Sequence, residues 1–105
     1  MKKNKITTVN VLGTTYTIYE TTGAHDELLR KLDGYVTPTE KTIVVNKNAA
    51  PLYKKQILKH ELVHAFLHES GLDTESWGGN EEIVDWIALQ FEKINKAFKT
   101  TAKSL

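Results

Sequence analysis

The chain has no cysteine among its 105 residues, which excludes both a disulfide framework and a thiolate metal site. It also has little net charge, because 14 basic residues against 13 acidic ones leave only +1. A nucleic-acid-binding domain normally shows a clear basic excess, so we expect no nucleic-acid partner. No apolar run is long enough to cross a bilayer, and no apolar segment of the signal-peptide kind follows the basic start MKKNKITTVNVLG. We therefore expect a cytoplasmic protein that does not contact membranes.

The first half of the chain has the alternating pattern of β-structure. In KITTVNVLGTTYTIYETT, apolar and polar residues alternate on both sides of Gly13, which predicts a β-hairpin. YVTPTEKTIVVN predicts a second hairpin with Pro38 and Thr39 in its turn, and TIVV is its strongest strand because it is rich in β-branched residues. The segment AHDELLRKLDG between them is either a short helix closed by Gly34 or a structured loop.

The second half predicts two helices separated by a loop at LDTESWGG. Pro51 suits the first turn of the first helix, and Gly71 suits its end. Asn80 can cap the last helix, which carries apolar residues along one face. We therefore predict one α+β domain spanning residues 1–105: a small, mainly antiparallel sheet of two hairpins, packed on the first helix, plus a C-terminal helix. The apolar face of the last helix comprises Ile83, Ile87, Phe91, Ile94 and Phe98.

The motif HELVH, residues 60–64, lies inside the first predicted helix and has the form HExxH. Four residues of helix rise about 6 Å and turn slightly more than once, so His60 and His64 project from one face and can hold one cation between them. Imidazole nitrogens suit Zn²⁺, which in catalytic sites takes three protein ligands and leaves a position for water. Glu61 can reach that water and take its proton. The motif therefore predicts a zinc-dependent hydrolase.

The third ligand must come from outside this pair. His68 lies about 12 Å of helix rise beyond His60, which is too far for one metal ion bound between the first two histidines. The stretch NEEIVDWIALQF offers carboxylates on the last helix. At 100° per residue, Glu81 and Asp85 share a side next to the apolar face, whereas Glu82 points further from it. This geometry favours Glu81 as ligand, with Asp85 placed to hydrogen-bond a ligating histidine.

HELVH followed by NEEIVD resembles the gluzincin pattern of zinc peptidases, in which the first glutamate of NExxxD completes the site. The short chain, its leading strands and HELVHAFLH also resemble the ImmA/IrrE-type metallopeptidases, many of which are encoded by prophages and mobile elements. The resemblance covers roughly residues 41–92. The gluzincin pattern implies Glu81 as third ligand, whereas alignment on the ImmA/IrrE pattern implies Glu82, so the two glutamates remain alternatives at this point.

The resemblance also implies which strand binds the substrate and which class of molecule the substrate belongs to. In zincins an edge strand lies above the active-site helix and pairs with the substrate, which here implies the strand at 41–46. The substrate would be an intracellular protein, for example a phage or mobile-element repressor. A hydrolase also needs a donor to stabilise the oxyanion; Tyr35, Tyr53, His68 and His25 are the candidates. The alternative function is a zinc-stabilised interaction module that binds a protein without cutting it.

Overall fold

The structure is a computed structural model, and it describes residues 3–72 and 79–104. A four-stranded sheet packs against one long helix, and a second helix packs on that helix. The predicted α+β class is confirmed, while most of the loop predicted at LDTESWGG lies outside the described residues. The elements are β1 (Asn4–Val11), β2 (Thr14–Thr21), a short 3₁₀ helix (Glu27–Arg30), β3 (Gly34–Thr37), β4 (Thr42–Asn46), α1 (Pro51–Glu69) and α2 (Glu81–Ala102).

The sheet contains both predicted hairpins, joined in a way that the sequence did not predict. β1 pairs antiparallel with β2 and β3 pairs antiparallel with β4, while β2 and β4 run parallel, giving the order β1-β2-β4-β3. The expectation that strand 41–46 lies at an edge is wrong, because β4 is hydrogen-bonded on both sides. Its residues 43–45 are buried in succession, as is typical of an interior strand covered on both faces. β3 is the edge strand beside α1.

Helix α1 lies between the sheet and α2. Ile57 and Ala65 belong to the core formed with the sheet, whereas Val63 and Leu67 pack against α2. Pro51 occupies the first turn, where its missing N–H costs no hydrogen bond. At the other end Gly71 adopts a φ of 78°, and the N–H of Leu72 reaches back to the carbonyl of Leu67 at 2.8 Å. This is a Schellman cap, so the predicted stop at Gly71 is confirmed.

The end of α1 is anchored to the sheet through Glu69. Its carboxylate accepts hydrogen bonds from the hydroxyls of Tyr16 (2.7 Å) and Thr14 (3.0 Å), and it pairs with the ammonium group of Lys41 at 2.9 Å. The hydrogen bonds from Lys41 and Tyr16 lower the pKa of Glu69 to about 2. These contacts fix the C-terminal end of α1 against the first hairpin and the β3–β4 turn.

Gly34 permits an unusually close approach between β3 and α1. A Cβ atom at this position would lie 2.5 Å from Cγ2 of Ile57 and 3.0 Å from the carbonyl oxygen of Val44. Neither contact is tolerable without movement, since both the side chain and the strand backbone are packed. Of the two alternatives for AHDELLRKLDG, a helix closed by Gly34 is therefore wrong: the short 3₁₀ helix ends at Arg30, and Gly34 begins β3 and brings that strand against the helix that carries HELVH.

We expect Gly34→Ala to lower the free energy of unfolding by about 1–3 kcal/mol, because the added methyl group overpacks the β3–α1 contact. Urea unfolding of the two proteins measures the difference. Gly23→Ala is the matched control, since its Cβ would come no closer than 3.2 Å to Cγ of the Arg30 side chain and 3.6 Å to backbone atoms of Leu29 and Arg30. Equal stability of the Gly34 variant and the wild-type protein would contradict the close packing.

Helix α2 begins as predicted but packs over only part of its length. The side chain of Asn80 accepts hydrogen bonds from the backbone N–H groups of Glu82 and Ile83, which confirms the cap. Val84 and Ala88 are buried against α1, whereas every residue at 91–101 is exposed. The predicted apolar face is thus covered only in its first half. Within residues 3–72 and 79–104, no helix is long and apolar enough to cross a membrane.

Candidate metal centre

The two histidines of HELVH and one glutamate from α2 come together at the contact between the helices. Nε2 of His60 lies 2.8 Å from Oε1 of Glu81, and Nε2 of His64 lies 3.2 Å from the same oxygen. The imidazole rings are 5.0 Å apart between centroids. One ligand atom from each residue lies within 4.8 Å of the others, which is close enough for a single cation to be shared. Two imidazole nitrogens and a carboxylate oxygen are donors that suit zinc.

The structure brings Glu81 to the histidines and leaves Glu82 apart from them. Both residues lie in the first turn of α2, but only Glu81 contacts the imidazoles. Glu82 is exposed, and its backbone N–H donates a hydrogen bond to the side chain of Asn80. The separation follows from the helical angle, because neighbouring residues point about 100° apart. The described geometry thus favours Glu81 as the third metal ligand.

Asp85 contacts the opposite nitrogen of His60. Its Oδ1 lies 2.6 Å from Nδ1 of His60, one helical turn beyond Glu81. A carboxylate at Nδ1 favours the tautomer that carries its proton there, which leaves the lone pair of Nε2 available for a cation shared with Glu81 and His64. The position of Asp85 therefore suits orientation of an imidazole ligand.

Glu61 lies beside these residues and is buried, with 8% of its surface exposed. It lines two adjoining cavities between β3 and α1, one of about 480 Å³ shared with His60, His64 and Glu81, the other of about 250 Å³ shared with His60 and Asp85. We call these two cavities together the cleft. The pKa of Glu61 is raised to about 7, mainly by burial; His60 opposes this shift, and the nearby carboxylates of Glu81 and Asp85 add to it.

This shift predicts a pH-dependent stability of the metal-free protein. Because the pKa of Glu61 rises from 4.5 in the unfolded chain to about 7 in the fold, the folded state favours the protonated acid, and stability falls as the pH rises from about 4.5 to 7. Glu61→Gln removes that ionisation. We expect the variant to exceed the wild-type free energy of unfolding by up to about 3 kcal/mol at pH 8, with the difference vanishing near pH 4.

Urea unfolding in the presence of a chelator, repeated across this pH range, measures the effect. Glu82→Gln is the control, because it makes the same chemical change at an exposed position. A difference between Glu61→Gln and wild type that does not change with pH would contradict the raised pKa of Glu61.

The two tyrosines considered as oxyanion donors both line the cleft, and both hydroxyls already have acceptors. The hydroxyl of Tyr35 donates to Asp26, and the hydroxyl of Tyr53 donates to Asp33. Burial, followed by the contact with Asp26, raises the pKa of Tyr35, and the hydrogen bond to Asp33 is the main cause of the raised pKa of Tyr53. Each phenol has a single proton, so either tyrosine would have to leave its aspartate in order to stabilise an oxyanion.

The remaining histidines lie away from the three clustered donors. His68 is partly buried one turn beyond His64 and is absent from the group whose ligand atoms converge. His25 is exposed in the segment before the 3₁₀ helix. Among the described residues, the structure therefore places neither His25 nor His68 within reach of a cation held by His60 and His64.

Sequence reasoning missed two features of the site. One is the burial of Glu61, which depends on how closely β3 approaches α1. The available signal was Gly34, directly before the strand YVT, where a missing side chain permits such an approach. The other is the pair of aspartates, Asp26 and Asp33, that hold the tyrosine hydroxyls; both lie in a segment without clear periodicity.

Comparison with protein families gives one match over residues 15–86, to the family described as the IrrE N-terminal-like domain, peptidase M78. The matched region contains most of the sheet, all of α1 and the start of α2 with Glu81 and Asp85. In the same comparison, no curated protein and no solved structure matches the chain significantly.

Proposed function

The chain belongs to the IrrE N-terminal-like family of peptidases, and on this premise we propose that it is a zinc-dependent endopeptidase. His60, His64 and Glu81 are the proposed ligands, and Glu61 is the proposed general base and acid. The observation that carries the proposal is the convergence of three donors of the right chemistry within 4.8 Å, directly beside a buried carboxylate that lines the cleft. The resemblance in the sequence and the family match support the same activity.

The donor set fits a catalytic zinc ion better than a structural one. Structural zinc sites are closed by four protein ligands, often cysteines, whereas this site offers three donors and opens onto the cleft. When bound, zinc supplies a Lewis acid that polarises a peptide carbonyl and makes water acidic enough to lose a proton near neutral pH. The Nδ1–H group of His60 would donate its hydrogen bond to Asp85, which holds the imidazole in position.

Glu61 is placed to move the proton in peptide hydrolysis. Its carboxylate lines the same cavity as the proposed ligands, so it can accept the proton of the attacking water and pass that proton to the leaving amine. With the pKa of Glu61 raised to about 7, its protonated and ionised forms are close in energy near neutral pH. A group that must first accept and then donate a proton benefits from that balance.

We propose that the substrate pairs with β3 rather than with residues 41–46. β3 is the edge strand next to α1, and Gly34, Tyr35 and Val36 line the cleft together with Glu61. An extended peptide added to this edge would gain main-chain hydrogen bonds while its scissile bond lay near the histidines. The resemblance to the ImmA/IrrE-type proteins suggests an intracellular protein as substrate, such as a phage or mobile-element repressor, and this identification rests on analogy.

Metal-dependent cleavage of peptides tests the proposed function. The purified chain is loaded with zinc, incubated with a complex peptide mixture from digested cell protein, and the new termini are identified by mass spectrometry. We expect cleavage that stops when a chelator removes the metal and returns when zinc is restored. Stoichiometric zinc without any cleavage would instead favour the alternative, a zinc-stabilised module that binds protein without cutting it.

A further inference from the structure

The smaller cavity of the cleft has room for a substrate side chain beside the proposed metal centre. Its volume is about 250 Å³, more than the roughly 150 Å³ of an apolar cavity that accepts benzene, and it shares His60 and Glu61 with the larger cavity. No lysine or arginine of the described chain lines it. Its lining combines apolar surface from Leu32, Tyr53 and Ile57 with the carboxylates of Asp33, Glu61 and Asp85.

The free edge of β3 determines which residue of a paired peptide faces α1. The N–H of Asn46 donates to the carbonyl of Asp33, and hydrogen-bonded pairs alternate from there along β3 and β4. The main-chain groups of Gly34 and Val36 therefore point away from β4, toward the edge where an extended peptide can pair. In such a pair, the residue opposite Gly34 has its side chain on the same face of the sheet as the Cβ that glycine lacks.

That face of β3 is turned toward the smaller cavity. A Cβ atom on Gly34 would lie 2.5 Å from Cγ2 of Ile57 and 3.6 Å from Cγ of Glu61. Both of these residues line the smaller cavity, as does Gly34 itself. A substrate side chain opposite Gly34 is therefore directed into this cavity, and the glycine has no side chain that would compete for the space.

The charges around the cavity favour a basic side chain. Asp33 accepts a hydrogen bond from the hydroxyl of Tyr53, and Asp85 contacts Nδ1 of His60. Both partners are uncharged when His60 serves as a metal ligand, so each aspartate keeps its negative charge and a second oxygen for another donor. The salt bridges that lysines form within the described chain involve other carboxylates. Glu61, more than nine-tenths buried, lines the same cavity and has no hydrogen-bond partner among the described residues.

We propose that the substrate carries an arginine or a lysine at the position paired with Gly34. Its cationic group meets the carboxylates of Asp33 and Asp85, and its aliphatic stem packs on the apolar wall of the cavity. Arginine suits this site well, because its planar guanidinium group offers several donors to two carboxylates at once. This inference rests on the proposed function, and it names the class of peptide that the chain cleaves.

Two blocked peptides that differ only in a central arginine or citrulline test the selection, because citrulline keeps the shape and lacks the charge. For the zinc-loaded full chain, we expect kcat/KM to be at least about ten-fold higher for the arginine peptide, as for loss of a charged hydrogen bond. Asp33→Asn should remove most of this preference, although its amide oxygen can still accept the hydrogen bond from Tyr53. Glu27→Gln, an exposed position outside the cavity lining, should retain the preference.

A binding measurement separates failure of this proposal from failure of the proposed function, because it requires no cleavage. Propylguanidinium, the arginine side chain without its main chain, is titrated into the isotope-labelled, zinc-loaded chain, with uncharged propylurea as the control. We expect millimolar binding of the cation alone, seen as shifts of the amide signals of Leu32, Asp33 and Gly34, and about ten-fold weaker binding by Asp33→Asn. Circular dichroism checks that the variants remain folded.

The two measurements together decide the proposal. Selective binding of propylguanidinium without cleavage of any peptide would support the basic-side-chain site and count against the peptidase. Equal cleavage of the arginine and citrulline peptides would overturn the proposed selection and leave the peptidase intact. Equal binding of propylguanidinium and propylurea, or binding that Asp33→Asn does not weaken, would likewise overturn it.

Discussion

Glu61→Gln is expected to reduce the rate of peptide cleavage by about 10²–10⁴-fold while zinc remains bound. The amide has nearly the same shape as the carboxylate, but it cannot accept a proton from water or return one to the leaving amine. Glu61 is buried in the cleft beside the proposed ligands, and the neighbouring carboxylates of Glu81 and Asp85 are already in contact with the histidines. Zinc content and cleavage rate, measured on the same preparation, separate a loss of chemistry from a loss of metal.

The control for this variant is Glu82→Gln, which changes the same functional group on the exposed side of the α2 N-terminus and should leave the rate near that of wild type. Its position also tests the sequence alignment that implies Glu82 as a ligand. Full zinc-dependent cleavage by the Glu61→Gln protein would contradict the proposed role of Glu61. A loss of cleavage that merely follows a loss of zinc would show that the substitution damaged the metal site instead.

The elements of this fold were predictable where local chemistry specifies them. Asn80 and Gly71 mark helix ends through their own hydrogen bonding and backbone conformation, so their roles could be inferred without any tertiary information. The order of the strands could not be predicted in this way, because the parallel pairing of β2 with β4 joins segments that are distant in the chain. One signal pointed to the interior position of β4: Ile43, Val44 and Val45 form a continuous apolar run, whereas an exposed edge normally alternates.

In the candidate site, too, the features set within one helix were predictable, and those set by packing between elements were not. The helical angle alone placed Glu81 and Asp85 on the side that faces α1, and the structure brings both to His60. The burial of Glu61 could not be read from its neighbours on the helix, because it results from the approach of β3 at Gly34. Likewise, the hydroxyl of Tyr35 finds Asp26 only once the segment before β3 has folded. Spacing along a helix predicts which groups share a face, but contacts between separate elements depend on the packed fold.

We expect Glu81→Gln to weaken zinc binding by more than about 100-fold. Substitution of a residue that only supports a ligand typically costs 10–100-fold in metal affinity, so the loss of a direct ligand should exceed that range. Asp85→Asn, which keeps the shape but weakens the contact with His60, should fall within the range of about 10–100-fold. Competition titration against a chromophoric chelator at constant pH measures the affinity of each protein.

Glu82→Gln provides the reference for this comparison, since it removes an adjacent carboxylate from the same helix N-terminus without touching the histidines. It should bind zinc as tightly as wild type. Because zinc binds the folded chain, the affinities also predict thermal stability: at a free zinc concentration 1,000 times the dissociation constant, binding adds about 4 kcal/mol. Wild type and Glu82→Gln should gain this stabilisation together, and Glu81→Gln should lose most of it. The reverse pattern, with Glu82→Gln losing zinc, would move the third ligand to Glu82 and require α2 to rotate about its axis in the metal-bound protein.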